Sequence, residues 1–308
     1  MDPLRRTLLW ASTNPWLASS LPRRRFVRRA VRRFMPGETR DDALREAAAL
    51  DARGVPSILT MLGENVETED ETRAVVDEYR RVLAAAAERR LDVEVSVKPT
   101  HLGLDLGPAL AARNVADLAR AAAGRGTLWI DMEGSAYTDA TLDLYRGLKA
   151  EHGNVGVCLQ SYLRRTPADL ESLLPLSPRI RLVKGAYAEP PERAFPAKRD
   201  VDAAYLSLGR RLVDHLAGGG DGFVGFGTHD PVLIRALADE ARGRAGAAER
   251  FEIEMLYGIG RREQDRLVEE GVPLRILVSY GEAWFPWYMR RLAERPANVW
   301  FVVRSLIR

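Results

Sequence analysis

The chain has a single cysteine, Cys158, in 308 residues. One thiol excludes an internal disulfide framework and fits a reducing cytoplasm. Its four histidines, His101, His152, His215 and His229, are scattered without zinc-ligand spacing, and Cys158 has no CxxC companion. No metal centre is therefore expected. No apolar run approaches the roughly 20 residues of a membrane span. No apolar segment with a cleavage site marks a secretory leader, so none is expected. No GxGxxG follows a strand and no P-loop is present, which argues against a Rossmann or Walker-type nucleotide site. Low-complexity linkers and period-level repeats are missing too. What is there is 46% hydrophobic and 29% charged residues, ample core for one large domain or two small ones.

The net charge of +3 is unevenly spread. Residues 1–40 hold ten arginines against Asp2 and Glu38, and seven of the ten lie between Arg23 and Arg33. Phe26, Val27, Ala30 and Val31 interleave with them. One reading is a basic amphipathic helix that docks on anionic lipid or nucleic acid. The plainer one is a solvated arginine-rich helix.

From residue 57 onward short apolar β-type runs alternate with amphipathic helical runs. The predicted strands are Ser57–Leu62, Val93–Lys98, Thr127–Met132, Val155–Gln160, Ile180–Lys184, Phe223–Thr228, Phe251–Leu256 and Leu274–Ser279. They are nearly continuous apolar segments, as strands buried on both faces should be. The helical runs between them often open with Pro after a capping residue, as at Thr166-Pro167 and Asp230-Pro231. Eight such units predict an α/β fold, a (β/α)8 TIM-type barrel over 57–308. Residues 1–56 are expected to form helices packed outside it.

Barrels place their chemistry at the carboxyl ends of the strands. Here those ends are polar: Lys98; Asp131-Met-Glu133; Gln160-Ser-Tyr162; Arg181 through Lys184-Gly-Ala-Tyr187; Thr228-His229-Asp230; and Glu252, Glu254 and Leu256-Tyr257-Gly258. Lys198 follows in the loop after strand five. Each alone could be a barrel-interior ion pair, but the set reads as a site. A last helix carries Arg290 and Arg291 side by side with Glu294 one turn on, approached by Trp284, Phe285 and Trp287. Two guanidiniums beside apolar surface suit a carboxylate or phosphate ligand, unless they are a solvated helix face. The cation-rich rim predicts an anionic small-molecule substrate. Lys184 leaves a second chemistry open, a class I aldolase forming a Schiff base at a strand end. A nucleic-acid binder using the arginine-rich N-terminus is a third reading, and it leaves the strand-end cluster unexplained.

The runs Ser96-Val-Lys98, Asp131-Met-Glu133, Leu159-Gln-Ser-Tyr162, Arg181-Leu-Val-Lys-Gly-Ala-Tyr187, Thr228-His229, Phe251-Glu252, Leu256-Tyr-Gly258 and Arg290-Arg-Leu-Ala-Glu294 resemble, in order, the flavin-dependent proline dehydrogenases. The short, monofunctional bacterial form is the nearest in layout. The resemblance implies a distorted barrel holding FAD, with the last helix over the barrel mouth. It implies oxidation of L-proline to 1-pyrroline-5-carboxylate, the first step toward glutamate, with electrons passed to a membrane quinone. By the same resemblance Arg290, Arg291, Lys98 and Glu294 would bind the substrate carboxylate. Asp131 would orient Lys98 and the flavin-side network, and Arg181 would lie at the flavin. Gln160, Lys184, Gly185, Ala186, Lys198, Thr228 and His229 would hold the flavin ring and phosphates. Tyr187 and Leu256 would wall the substrate ring. Two positions depart from the pattern: Leu277 and Trp287 stand where tyrosines are usual, which leaves a proline analogue or another cyclic amino acid open as substrate. A quinone acceptor implies a cytoplasmic enzyme on the inner membrane face, with the basic N-terminal helix as a peripheral contact.

Overall fold

The computed structural model describes residues 31, 33–285, 288 and 289. Eight parallel strands close into one barrel in chain order: β1 Ser57–Met61, β2 Val93–Val97, β3 Leu128–Ile130, β4 Val155–Gln160, β5 Arg179–Val183, β6 Phe223–Gly227, β7 Phe251–Leu256 and β8 Leu274–Tyr280. The ring closes where β1 pairs with β8, Ile58 opposite Leu277 and Thr60 opposite Ser279. Helices α1 Arg40–Asp51, α2 Glu69–Glu88, α3 Pro108–Ala122, α4 Thr138–Lys149, α5 Thr166–Leu173, α6 Lys198–Ala217, α7 Pro231–Arg242 and α8 Arg261–Glu269 run before and between the strands. The fold is the (β/α)8 barrel expected from the sequence.

Local chemistry explains the helices. In α2 the Thr68 hydroxyl accepts from the Glu71 N–H while Glu71 accepts from the Thr68 N–H, a capping box. Val75, Val76, Tyr79, Val82, Leu83 and Ala86 then recur at helical spacing on the buried face. Pro231 opens α7, and Asp230 caps it through the Val232 N–H.

The strands have two unlike faces. Val95, Ile130, Val157, Leu182, Phe226, Ile253 and Ile276 point outward into a core shared with the helices. The inner face is charged. Arg181 of β5 bonds to Ser96 of β2 and Glu254 of β7, strands that are not its neighbours, so these bonds cross the barrel interior. Deeper in, Arg275 of β8 holds both oxygens of Glu252 at 2.9 and 3.0 Å. Glu94 accepts from the Trp129 indole at 2.6 Å and the Thr127 N–H at 2.7 Å. Burial, the neighbouring Glu254 and Glu94 carboxylates, and Arg275 acting in opposition leave the Glu252 carboxyl pushed up to about 8.

Five strands end earlier than the apolar runs suggested. Leu62, Lys98, Asp131, Lys184 and Thr228 lie just past the last ladder residues. The chain there folds into turns: the Lys98 carbonyl accepts from the His101 N–H, and the Thr228 N–H donates to Phe226. Lys198 is the first residue of α6 rather than a loop residue.

A second apolar cluster lies at the carboxyl ends of β1 and β7. Val31, Phe34 and Met35 pack there with Leu62, Ile259, Trp284, Phe285 and Tyr288. The Trp284 indole donates to Glu38 at 3.0 Å. At Gly258, φ is +75°, and an added Cβ would stand 1.7 Å from the Arg33 carbonyl oxygen. Backbone meets backbone there, which only glycine allows. Of the arginine-rich run, Val31 and Arg33 are described, and its other residues lie outside the described part. So do Trp287, Arg290, Arg291 and Glu294.

Candidate active site

Arg181 is the centre of the barrel mouth. Its side chain is 3% exposed. Nε donates to Glu254 at 2.5 Å, and Nη1 donates to Ser96 Oγ at 2.7 Å and to Asp131 at 3.1 Å. The guanidinium stacks over Trp129, 4.5 Å from the ring centre. Burial works against its charge, but the Glu254 and Asp131 carboxylates outweigh burial and hold its pKa above the usual arginine value. Burial raises the Glu254 carboxyl, and Arg181 opposes that shift. Asp131 bonds to Ser96 and Arg181, so it organises the arginine rather than Lys98.

Arg181 Nη2 and Gln160 Oε1 are among the buried polar atoms at this mouth that lack a hydrogen-bond partner among the described residues. The Gln160 amide is fixed by donating from Nε2 to the Met132 carbonyl at 3.1 Å. Leaving a buried donor or acceptor unmade is costly, about 1–3 kcal/mol each, so each of these atoms is a place where a ligand group or an ordered water would be held.

Lys98 is half-buried and forms no ion pair among the described residues. Beside it lies His101, whose pKa falls to about 4 through burial and then the Lys98 charge. Glu133 accepts both the Thr100 N–H at 3.0 Å and its hydroxyl at 2.7 Å. Lys184 and Lys198 converge on Asp202 and Asp230, with Lys184 at 2.5 and 3.1 Å from the two carboxylates. This pairing was not foreseen: the rim is balanced by carboxylates rather than simply cationic. Asp202 would be raised by burial alone, but hydrogen bonds and charge from both lysines hold it below the usual carboxylate range. Asp230 behaves likewise.

Gly185 has φ +112°, and a Cβ would stand 2.2 Å from the Tyr162 ring. Ala186 and Tyr187 follow on the same loop, half-buried. Thr228 Oγ1 accepts from the Asp230 N–H at 3.2 Å, and His229 Nε2 accepts from the Leu256 N–H at 3.3 Å. Leu256 and Leu277 are half-buried on adjacent strands, paired in register. The structure thus brings Lys98, Asp131, Gln160, Arg181, Lys184, Thr228, His229, Leu256 and Leu277 to one end of the barrel.

A model of the proline dehydrogenase family matches residues 43–304. The chain belongs to the proline dehydrogenase family. Among its relatives, proline dehydrogenase 1 of Bacillus subtilis subsp. natto is 36% identical over 306 residues, covering 99% of each chain. The proline dehydrogenase of Deinococcus radiodurans is 36% identical over 286 residues, covering 90% of this chain and 89% of that protein. In fold, the chain superposes on proline utilization A of Bdellovibrio bacteriovorus, inactivated by N-propargylglycine, with a TM-score of 0.78. That likeness has 20% identity and covers 94% of this chain and 38% of the other, and it concerns the fold alone.

Within this family member, sequence reasoning overlooked several residues that shape the site. Ser96 and Trp129 hold Arg181, and Asp202 holds the lysines. Glu189 accepts from Ser135 and ties the Tyr187 loop to the loop after β3. Their signal is weak because each partner is distant in sequence.

Proposed function

We propose that the protein oxidises L-proline to 1-pyrroline-5-carboxylate with FAD as cofactor, passing electrons to a membrane quinone. The reading is carried by one observation: Arg181 Nη2 and Gln160 Oε1 are buried without partners at the barrel mouth of a proline dehydrogenase family member. FAD, when bound, supplies the acceptor for a hydride leaving the ring carbon next to nitrogen. Arg181 and Gln160 would hold its ring, with Asp131 fixing Arg181. Lys184, Gly185, Ala186, Lys198, Thr228 and His229 would line the remainder, the lysines exchanging carboxylate partners for phosphate. Lys98, Arg290, Arg291 and Glu294 would bind the substrate carboxylate, and Tyr187, Leu256, Leu277 and Trp287 would wall its ring. Two-point binding of carboxylate and ring presents the reacting carbon in one orientation. A cationic clamp also disfavours the protonated amine, and the neutral amine is the form that releases hydride.

The quinone acceptor places the enzyme in the cytoplasm at the inner membrane face, with the arginine-rich N-terminal segment as its lipid contact. No helix among the described residues is long and apolar enough to cross a membrane. The Schiff-base alternative has little support, because Lys184 lies between two carboxylates instead of in the desolvated pocket a nucleophilic lysine needs. The test is FAD uptake by the purified protein, read as visible absorption retained through gel filtration, in wild type and Arg181→Met. Retention in wild type and loss or strong weakening in the variant supports the reading. A wild-type protein that stays colourless with excess FAD refutes it.

A further inference from the structure

Glu254 sits across the barrel from β5 in a place built for it. One oxygen, Oε2, accepts from Arg181 Nε at 2.5 Å, and both side chains are 3% exposed. The other oxygen, Oε1, has no hydrogen-bond partner among the described residues. It occupies the room left by Gly225 of β6, where an added Cβ would stand 2.0 Å away. The guanidinium is thereby tied at Nε by Glu254 and at Nη1 by Asp131 and Ser96, and it is stacked on Trp129. Nη2 is the edge that remains for a ligand. One cation faces two carboxylates, so an ionised Glu254 would leave this group with a net negative charge.

We propose that Glu254 is a positioning residue that fixes Arg181 and, as an ionised carboxylate, lowers the reduction potential of the flavin. The inference rests on the FAD reading above. Two-electron reduction adds negative charge to the ring, and a buried carboxylate nearby opposes it in a medium that screens poorly. Glu254→Gln keeps size and an oxygen acceptor for Arg181 while removing that charge. Arg181 with Asp131 alone is neutral, so the reduced state gains.

The experiment uses the full-length, FAD-loaded protein and measures the midpoint potential by dye-coupled equilibrium titration. Glu254→Gln is expected to retain FAD and to shift the oxidised–reduced equilibrium at least about tenfold toward the reduced form, about 30 mV positive for a two-electron couple. Glu254→Asp, which keeps the charge, should stay closer to wild type than the glutamine variant. Gly225→Ala keeps every charged residue but forces the carboxylate away, and it should also move the potential in the positive direction. A Glu254→Gln potential within a few millivolts of wild type means the carboxyl is neutral or uncoupled and overturns the proposal. If that variant does not load FAD, an unchanged potential in loaded Gly225→Ala overturns it instead. Failure of both to load makes Glu254 a determinant of the fold, and this too overturns the proposal. A wild-type protein that binds no FAD defeats the underlying reading, whereas a loaded wild type with an unmoved variant defeats this inference alone.

Discussion

Removing the Glu189 carboxylate should loosen the Tyr187 loop and weaken substrate binding more than turnover. Glu189 accepts from the Ser135 N–H at 2.6 Å and from its hydroxyl at 2.5 Å, while Arg193 donates to the same hydroxyl at 3.0 Å. The far end of the loop is stitched separately, Arg164 N–H to Arg193 at 2.9 Å and Phe195 N–H to Tyr162 at 2.8 Å. Glu189 is therefore a tie two residues from Tyr187. Hydrogen bonds to a charged group contribute about 1.5–3 kcal/mol each when buried. Glu189 is half-buried, so about 2 kcal/mol for the pair is the reasonable figure. If all of it is lost from the closed loop, the binding-competent fraction falls by up to about 30-fold and apparent affinity falls with it. Glu189→Ala should raise KM for L-proline by about 5- to 30-fold with kcat changed much less, because bound substrate restores the closed loop. Ser135→Ala breaks one of the two bonds and should raise KM by at most about 5-fold on the same reasoning. Steady-state kinetics of both variants, with limited proteolysis of the 184–197 loop as a second readout, provide the check. Wild-type KM in Glu189→Ala, or equal losses in KM and kcat, would refute the loop argument.

Arg290→Met or Arg291→Met should raise KM strongly while FAD stays bound, since truncating one partner of a buried charge-assisted contact costs about 2–5 kcal/mol; unchanged saturation curves in both would make the pair surface decoration. Leu277→Tyr should sharpen the preference for L-proline over trans-4-hydroxy-L-proline, by the roughly 1–3 kcal/mol that a few heavy atoms of pocket wall are worth; the ratio of kcat/KM values in the two proteins measures it, and an unchanged ratio takes Leu277 out of the substrate wall. Asp202 and Asp230 have folded-state pKa values below 3.8, so the stability they contribute is present above that pH and is lost as the pH falls through the depressed values. Asp202→Asn/Asp230→Asn should therefore lose less stability than wild type between pH 5 and pH 2, and parallel denaturation curves across that range would contradict the assignment.

The fold was readable because its signal is repeated eight times. Each strand turns an outward row such as Val93, Val95 and Val97 against helices, and this row survives as an apolar run whatever the inner face carries. The rim residues were readable because the barrel fixes where strand ends lie, so Lys98, Asp131, Gln160, Arg181 and Thr228 declared themselves by position. Partner choice was not. Arg181 meets Glu254 across 73 residues of sequence and Ser96 across 85, and only the closed register of eight strands brings them together. Lys184 finds Asp202 on the helix that follows, where an acid would otherwise read as solvated face. Ser135 and Glu189 lie in loops without periodicity, where sequence pattern carries no distance information. The strands are buried on both faces as expected, but their inner face is held by partners no local pattern marks, Arg181 with Glu254 and Arg275 with Glu252 and Glu94.

The most direct measurement is anaerobic titration of the FAD-loaded protein with L-proline, followed by its visible spectrum. The account predicts that L-proline bleaches the flavin absorption and that 1-pyrroline-5-carboxylate forms in equal amount, while a ring amine lacking the carboxylate bleaches it only at far higher concentration. Oxidised flavin that keeps its spectrum at saturating L-proline would contradict the account.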